Sequence, residues 1–146
     1  MTRNTVRRIR KGFTLVEILI VVIILGILAA IVIPQFTSAS EDARRNSALS
    51  LLQTIRAQVE LYKLQHGDKW PTASGNPVAA EWDWDALTGT TTYGSKTFGP
   101  YLQQEPSNPF NNSSSVAAAA ASGVGFVVDA NGKIFTVDSD GNAVGQ

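Results

Sequence analysis

Two unlike hydrophobic patterns divide the chain. Phe13 to Ile33 is an almost unbroken apolar run with one charge in it, Glu17. Beyond Pro34 the apolar residues thin out and become periodic. Leu49, Leu52, Ile55, Val59 and Tyr62 recur at spacings of three and four, which puts them on one face of a helix. Arg44, Arg45, Arg56, Glu60 and Lys63 fall off that stripe and read as solvated or subunit-facing. Gly67 and Pro71 stop the helix near Gln65–His66. Ser38 and Glu41 have capping-box spacing that could restart a helix broken at Pro34; one continuous helix kinked at Pro34 is the favoured reading. Residues 67–115 keep no period and read as irregular loops. Ser113 to Ala121 is low in complexity and reads as a mobile surface loop or a short helix. A period of two appears only near the end. Gly125-Phe126-Val127-Val128-Asp129 and Lys133-Ile134-Phe135-Thr136-Val137-Asp138 flank Ala130-Asn131-Gly132, and Asn-Gly between β-branched runs is a hairpin signal. The expected fold is α+β: a long N-terminal helix, half of it hydrophobic and half amphipathic, laid across a small antiparallel sheet.

The 21 residues from Phe13 to Ile33 span about 30 Å at ~1.5 Å per residue, the thickness of a bilayer core. A cleaved secretory signal is the competing reading. The run exceeds the usual length of such a segment, and no small-residue cleavage site ends it. The chain has 146 residues and no net charge, but Arg3, Arg7, Arg8, Arg10 and Lys11 supply five of its twelve basic residues. That placement marks the cytoplasmic side of a membrane segment. Removing residues 1–12 leaves seven basic against twelve acidic residues, a net of −5, which argues against nucleic-acid binding through a basic surface. The absence of cysteine excludes a disulfide framework, a thiolate metal site and a catalytic thiol. No nucleophile–base pair stands out, and no enzyme is expected.

Glu17 is the anomaly. A carboxylate within a hydrocarbon span is costly. It either snorkels to the headgroups or awaits a cation from another chain. Here the residues resemble a family. Lys11-Gly12-Phe13-Thr14-Leu15-Val16-Glu17 resembles the processing site of type IV prepilins and of type II secretion pseudopilins. The likeness lies in a basic leader, Gly, Phe-Thr-Leu-x-Glu and an apolar stem, in that order. It implies that a membrane-embedded prepilin peptidase/N-methyltransferase cuts between Gly12 and Phe13 and methylates the new Phe13 amine. It also implies that Glu17 of one subunit meets the Phe13 amine of the next, that the helix bends at Pro34, and that the fold is the pilin fold. The expected parts are a cleaved leader (1–12), a transmembrane polymerisation helix (13–36), its amphipathic continuation (37–66) and a globular loop and hairpin domain (67–146).

Later segments are similar to the major pseudopilin branch. They are Leu61-Tyr62-Lys63-Leu64-Gln65 with Trp70-Pro71-Thr72, Gly99-Pro100-Tyr101-Leu102, and Pro106-x-x-Pro109-Phe110-Asn111. That branch binds calcium after its last strand, where Asp138-Ser139-Asp140-Gly141-Asn142 stands here. Asp138 and Asp140 could serve a hard cation, or the stretch could be a plain polar turn, since the branch's further Asp pair is missing. His66 at the helix end reads as a partner of the helix dipole. Trp82 and Trp84 could stack on a sugar, but more readily pin a loop by burial. The reading that follows is a major-pseudopilin-like structural subunit, held in the inner membrane with its C-terminal domain in the periplasm. It would polymerise with identical subunits from an inner-membrane assembly platform. A surface pilin for adhesion, motility or DNA uptake, and a membrane-anchored glycan-binding module, are the alternatives.

Overall fold

The computed structural model describes residues 12–145, without the side chains of Pro34 and Gln35. Residues 1–11 of the expected leader (1–12) therefore lie outside the described residues. The chain divides into two compact units, one ending at Ser40 and one beginning at Glu41. One helix, α1, runs through Leu15–Gln65, so no restart forms at Ser38. Pro34, expected as the kink, lies within α1, and its side chain is outside the described residues.

In the first unit α1 is apolar on every side. Its large side chains are exposed, from Leu15 at 81% to Val32 at 42%. A helix that is apolar all round needs a non-aqueous surrounding or helical neighbours, and this one is long and apolar enough to cross a bilayer.

The second unit is a helix packed on a sheet. The α1 stripe consists of Ala48, Leu52, Ile55, Val59, Tyr62 and His66, all buried, at spacings that alternate four and three. Leu49, expected in the stripe, is half-buried beside it. The stripe packs on Phe126, Val128 and Ile134, with Ala79, Trp84 and Leu87 filling the space beyond the helix. The helix ends as anticipated. Gly67 adopts φ 65°, and the N–H of Asp68 returns to the carbonyl of Lys63 at 2.8 Å, a Schellman closure.

The main sheet has four strands: β3 (Val116–Ala117), β4 (Phe126–Val128), β5 (Ile134–Val137) and β6 (Ala143–Val144), in that order across the sheet. In the labelling by chain order, β1 (Thr91–Tyr93) and β2 (Lys96–Phe98) form a separate antiparallel pair. The predicted hairpin is β4–β5, with Val128 opposite Ile134. Its connection is Ala130-Asn131-Gly132, with Gly132 at φ 80° and the Asp129 N–H on the Lys133 carbonyl at 3.1 Å. This is a three-residue loop with glycine at the left-handed position. Alternation along β4 explains how all three of its residues are buried: Phe126 and Val128 face α1, while Val127 joins Phe135 and Val137 in a second cluster.

Three expectations need correction. Residues 67–115 are not simply irregular: they hold a 3-10 turn at Ala79–Glu81, a short helix α2 (Asp85–Thr88) and the β1–β2 hairpin. The signal was Gly94-Ser95 between Tyr93 and Lys96; Gly94 takes φ 63°, which suits the first position of a two-residue loop. The low-complexity segment supplies β3, which runs parallel to β4 with Val116 opposite Phe126, so the sheet is mixed rather than purely antiparallel. Arg56 is not simply solvated or subunit-facing. It is half-buried and donates Nε to the Ile134 carbonyl (3.0 Å), and Nη2 to that carbonyl and to the Gly145 carbonyl (2.8 Å). A guanidinium carries donors in a fixed fork, and this one ties α1 to both final strands.

Candidate functional site: the N-terminal end of the stem

Gly12 and Phe13 precede the helix outside any regular element and are exposed, Phe13 at 82%. Thr14 is the residue before the first helical position. Its N–H and its Oγ1–H both donate to Glu17 Oε2, at 2.8 and 2.9 Å, and its Oγ1 accepts from the Glu17 N–H at 3.3 Å. This is a reciprocal capping box, Thr-x-x-Glu directly before an apolar run. The Thr-x-x-Glu spacing is visible in the sequence; Ser38 and Glu41 share it, but α1 is continuous there, as the favoured continuous-helix reading expects. The box holds the carboxylate against the helix start, one residue from the Phe13 nitrogen. Oε2 takes both donors, and Oε1 takes none among the described residues. The site thus presents an exposed aromatic terminus, a fixed carboxylate and one free acceptor oxygen. Cleavage after Gly12 would turn the Phe13 nitrogen into an amine of positive charge at neutral pH.

The second site expected from sequence is the turn at Asp138 and Asp140. Asp138 Oδ1 accepts the N–H groups of Asp140 (3.0 Å) and Asn142 (2.7 Å), and Oδ2 accepts from the Asn142 side-chain amide. Burial alone would raise its pKa; these donors, with the Gly141 N–H, outweigh it and hold the carboxyl below the usual aspartate range. The turn repeats the one before it, where Asp129 Oδ1 accepts from Asn131 and Lys133. Asp-x-Asn-Gly-Lys and Asp-x-Asp-Gly-Asn are thus two copies of one device, in which an Asp side chain closes its own turn. Calcium takes six to eight oxygens. The turn offers two carboxylates, one of them already satisfied, and no group of three acidic or histidine side chains converges among the described residues. These two carboxylates alone fall short of a calcium cage.

The remaining candidates serve the core. Trp84 is buried, donates Nε1 to the Ser114 carbonyl at 2.8 Å, and meets Phe126 and Trp82 edge-on at 5.4 Å. It pins the segment leading to β3, as the burial reading expected, and its ring is no platform for a sugar. His66 is buried and stacks on Tyr62 at 3.9 Å, with Nδ1 on the Tyr62 carbonyl and Nε2 on Thr91 Oγ1, each at 2.9 Å. It fastens β1 to the helix end. Burial first, and Asp83 second, raise the pKa of Tyr62 nearby. Asn108 went unremarked in the sequence. It is fully buried and donates Nδ2 to the Gly125 and Val137 carbonyls at 2.7 Å each, clasping the two strands where they diverge.

Comparison with known proteins places these features. Residues 7–33 match the prokaryotic N-terminal methylation motif. The chain is 36% identical to the type II secretion system core protein G of Pseudomonas aeruginosa, over 73% of this chain and 72% of that protein. It is 32% identical to the core protein G of Aeromonas hydrophila, over 73% of this chain and 71% of that one. The type IV major pilin protein PilE1 of Neisseria gonorrhoeae is 41% identical, but over only 43% of this chain and 38% of the pilin. No solved structure matches significantly. Since the likeness to core protein G extends beyond the stem into the globular unit, the chain belongs to the family of the type II secretion system core protein G.

Proposed function

We propose that the chain is the principal filament subunit of a type II protein secretion system. The observation that carries this is the reach of the likeness: core protein G matches over 73% of the chain, whereas the pilin match covers 43%. A stem alone is common ground between pili and pseudopili; the globular unit separates them. The role is structural, not enzymatic.

The N-terminal geometry supports a sequence of events. A prepilin peptidase/N-methyltransferase cuts between Gly12 and Phe13, both exposed and outside any regular element, and methylates Phe13. The subunit stands in the inner membrane by α1, with its globular unit in the periplasm. An assembly platform moves it from lipid onto a growing filament of identical copies. There the Phe13 amine of one subunit meets Glu17 of a neighbour. The free Oε1 receives the incoming amine while Oε2 keeps the capping box closed. In a dry helical core an ion pair made this way is strong, and an unpaired carboxylate is unfavourable.

Mass spectrometry of the membrane-extracted protein tests the processing. An N-terminal methylated Phe13 is expected, and a chain retaining the leader would reject the cut. For docking, Glu17→Ala should leave membrane insertion intact and abolish filaments; filaments at normal yield would refute the pairing.

A further inference from the structure

A cleft of about 360 Å³ opens between α1 and the β4–β5 connection, within the size range of ligand-binding pockets. Its apolar lining comes from Val59, Ile134 and the half-buried Trp70, whose ring lies against Gly132. Its charged lining is one-sided. Arg56, Lys63 and Lys133 line it with a single acid, Glu60. Beyond residue 12 the chain has seven basic residues against twelve acidic ones. Three of those seven cations therefore gather at one cleft, on a stretch of chain whose balance is negative.

The neighbours do not neutralise this group. Glu60 is taken by Lys63, with Oε1 3.0 Å from Nζ. Arg56 and Lys133 make no ion pair among the described residues. Asp129, in the same connection, commits Oδ1 to the backbone N–H groups of Asn131 and Lys133, not to the Lys133 ammonium. Arg56 gives Nε and Nη2 to backbone carbonyls, and its Nη1 has no partner among the described residues. A second observation concerns what holds the cations in place. The Arg56 guanidinium stands 5.7 Å and the Lys133 ammonium 5.2 Å from the centroid of one ring, Phe135. Lys63 stands 4.4 Å over Trp70, its side chain only 19% exposed. Aromatic faces and carbonyls, rather than acids, fix these charges. Like charges kept together and partly desolvated repel one another until an anion joins them.

We propose that this cleft binds an acidic peptide segment of a partner protein, with carboxylates at Arg56 Nη1 and the Lys133 ammonium and an apolar side chain against Trp70. Charge complementarity selects the anion, and the lining selects the peptide. The cations are seated on two separate rings, which suits carboxylates spaced along a chain better than one compact phosphate. Val59, Ile134 and Trp70 offer apolar contact that a bare anion leaves unused. The cleft lies wholly in the second unit, and the proposal does not depend on the filament reading.

The probe is a short fluorescein-labelled peptide of glutamates around one central leucine. Its fluorescence anisotropy is followed on titration with the full chain in a neutral detergent, over a range of salt. Binding that weakens as salt rises is expected. Lys133→Glu alters an exposed side chain and should weaken binding by roughly tenfold or more. Lys96→Glu, exposed on the β1–β2 hairpin, changes the net charge equally and should leave binding as it was. Trp70→Leu should weaken it without altering its salt dependence. Failure of the peptide to bind would overturn the proposal. An equal loss in Lys96→Glu and Lys133→Glu would overturn it by making the binding a matter of net charge. Inorganic phosphate that competes as well as unlabelled peptide would overturn it in favour of a bare anion. Self-association of the chain that Lys133→Glu abolishes would overturn it in favour of a second copy.

Discussion

Arg56→Ala is the most informative single change in the globular unit. The guanidinium is half-buried and supplies the carbonyls of Ile134 and Gly145 from one fork, with the Phe135 ring 5.7 Å away. Hydrogen bonds from a charged donor contribute about 1.5–3 kcal/mol each, and partial exposure argues for the lower end. Two acceptors at that end give about 3 kcal/mol, before any loss of packing by the side-chain stem. For a unit of roughly 100 residues each kcal/mol moves the midpoint by about 4–8 °C, so a fall of about 12 °C or more is expected. The assay is thermal melting of the detergent-solubilised chain by circular dichroism, at a fixed protein and salt concentration. Arg56→Lys should recover part of the loss, because an ammonium can reach one carbonyl but not fork between two. Arg56→Met keeps most of the stem and should fall nearly as far as Ala. A drop of less than about 3 °C in Arg56→Ala would refute the account, since it would put the contribution below the ~1 kcal/mol of an ordinary neutral hydrogen bond.

Other changes test neighbouring parts of the argument. Asn108→Ala takes the side-chain donor from the buried Val137 carbonyl and leaves the Gly125 carbonyl with the Val137 N–H, and should cost about 1–3 kcal/mol in a denaturant melt. Gly132→Ala places a methyl group into the Trp70 ring and strains a φ of 80°; a loss of more than about 1 kcal/mol is expected by the same measurement. Asp138 has a depressed pKa in the folded chain, so its contribution is fully present above the ordinary aspartate pKa and is lost as pH falls through the lower folded value. Asp138→Asn should therefore lower the melting midpoint at neutral pH and narrow the difference from the parent at the most acid pH that the fold survives. Calcium added to the unmodified chain should leave the midpoint unchanged; a rise that disappears in Asp138→Asn would show that the turn binds the ion after all.

The stem and the motif at its start were legible because their signals are local and dense: a continuous apolar run, one carboxylate within it, and basic residues before it. The β4–β5 hairpin was legible for a similar reason, with Asn-Gly between two β-branched stretches. What stayed hidden depended on partners far along the chain. Nothing near Arg56 says that Ile134 and Gly145 will bring their carbonyls to it, so an arginine beside an apolar stripe reads as solvated. Val116 and Ala117 become a strand only because β4 offers them an edge; their own neighbourhood of serines and alanines argues for a loop. Asn108 lies in a proline-flanked stretch that looks like a turn, and its clasp exists only where β4 and β5 part. The Thr14–Glu17 box was different. Its spacing is visible in the sequence, but Glu17 is read there only for its expected docking, and capping is a second use of the same side chain.

That double role bears on what happens before any filament exists. A carboxylate held by its own helix start is not a bare anion searching for a cation. It lets a subunit wait in the bilayer with its first turn finished and its charge shared between two donors. On the proposed filament reading, the membrane would then hold subunits whose helix start is already closed before any neighbour arrives.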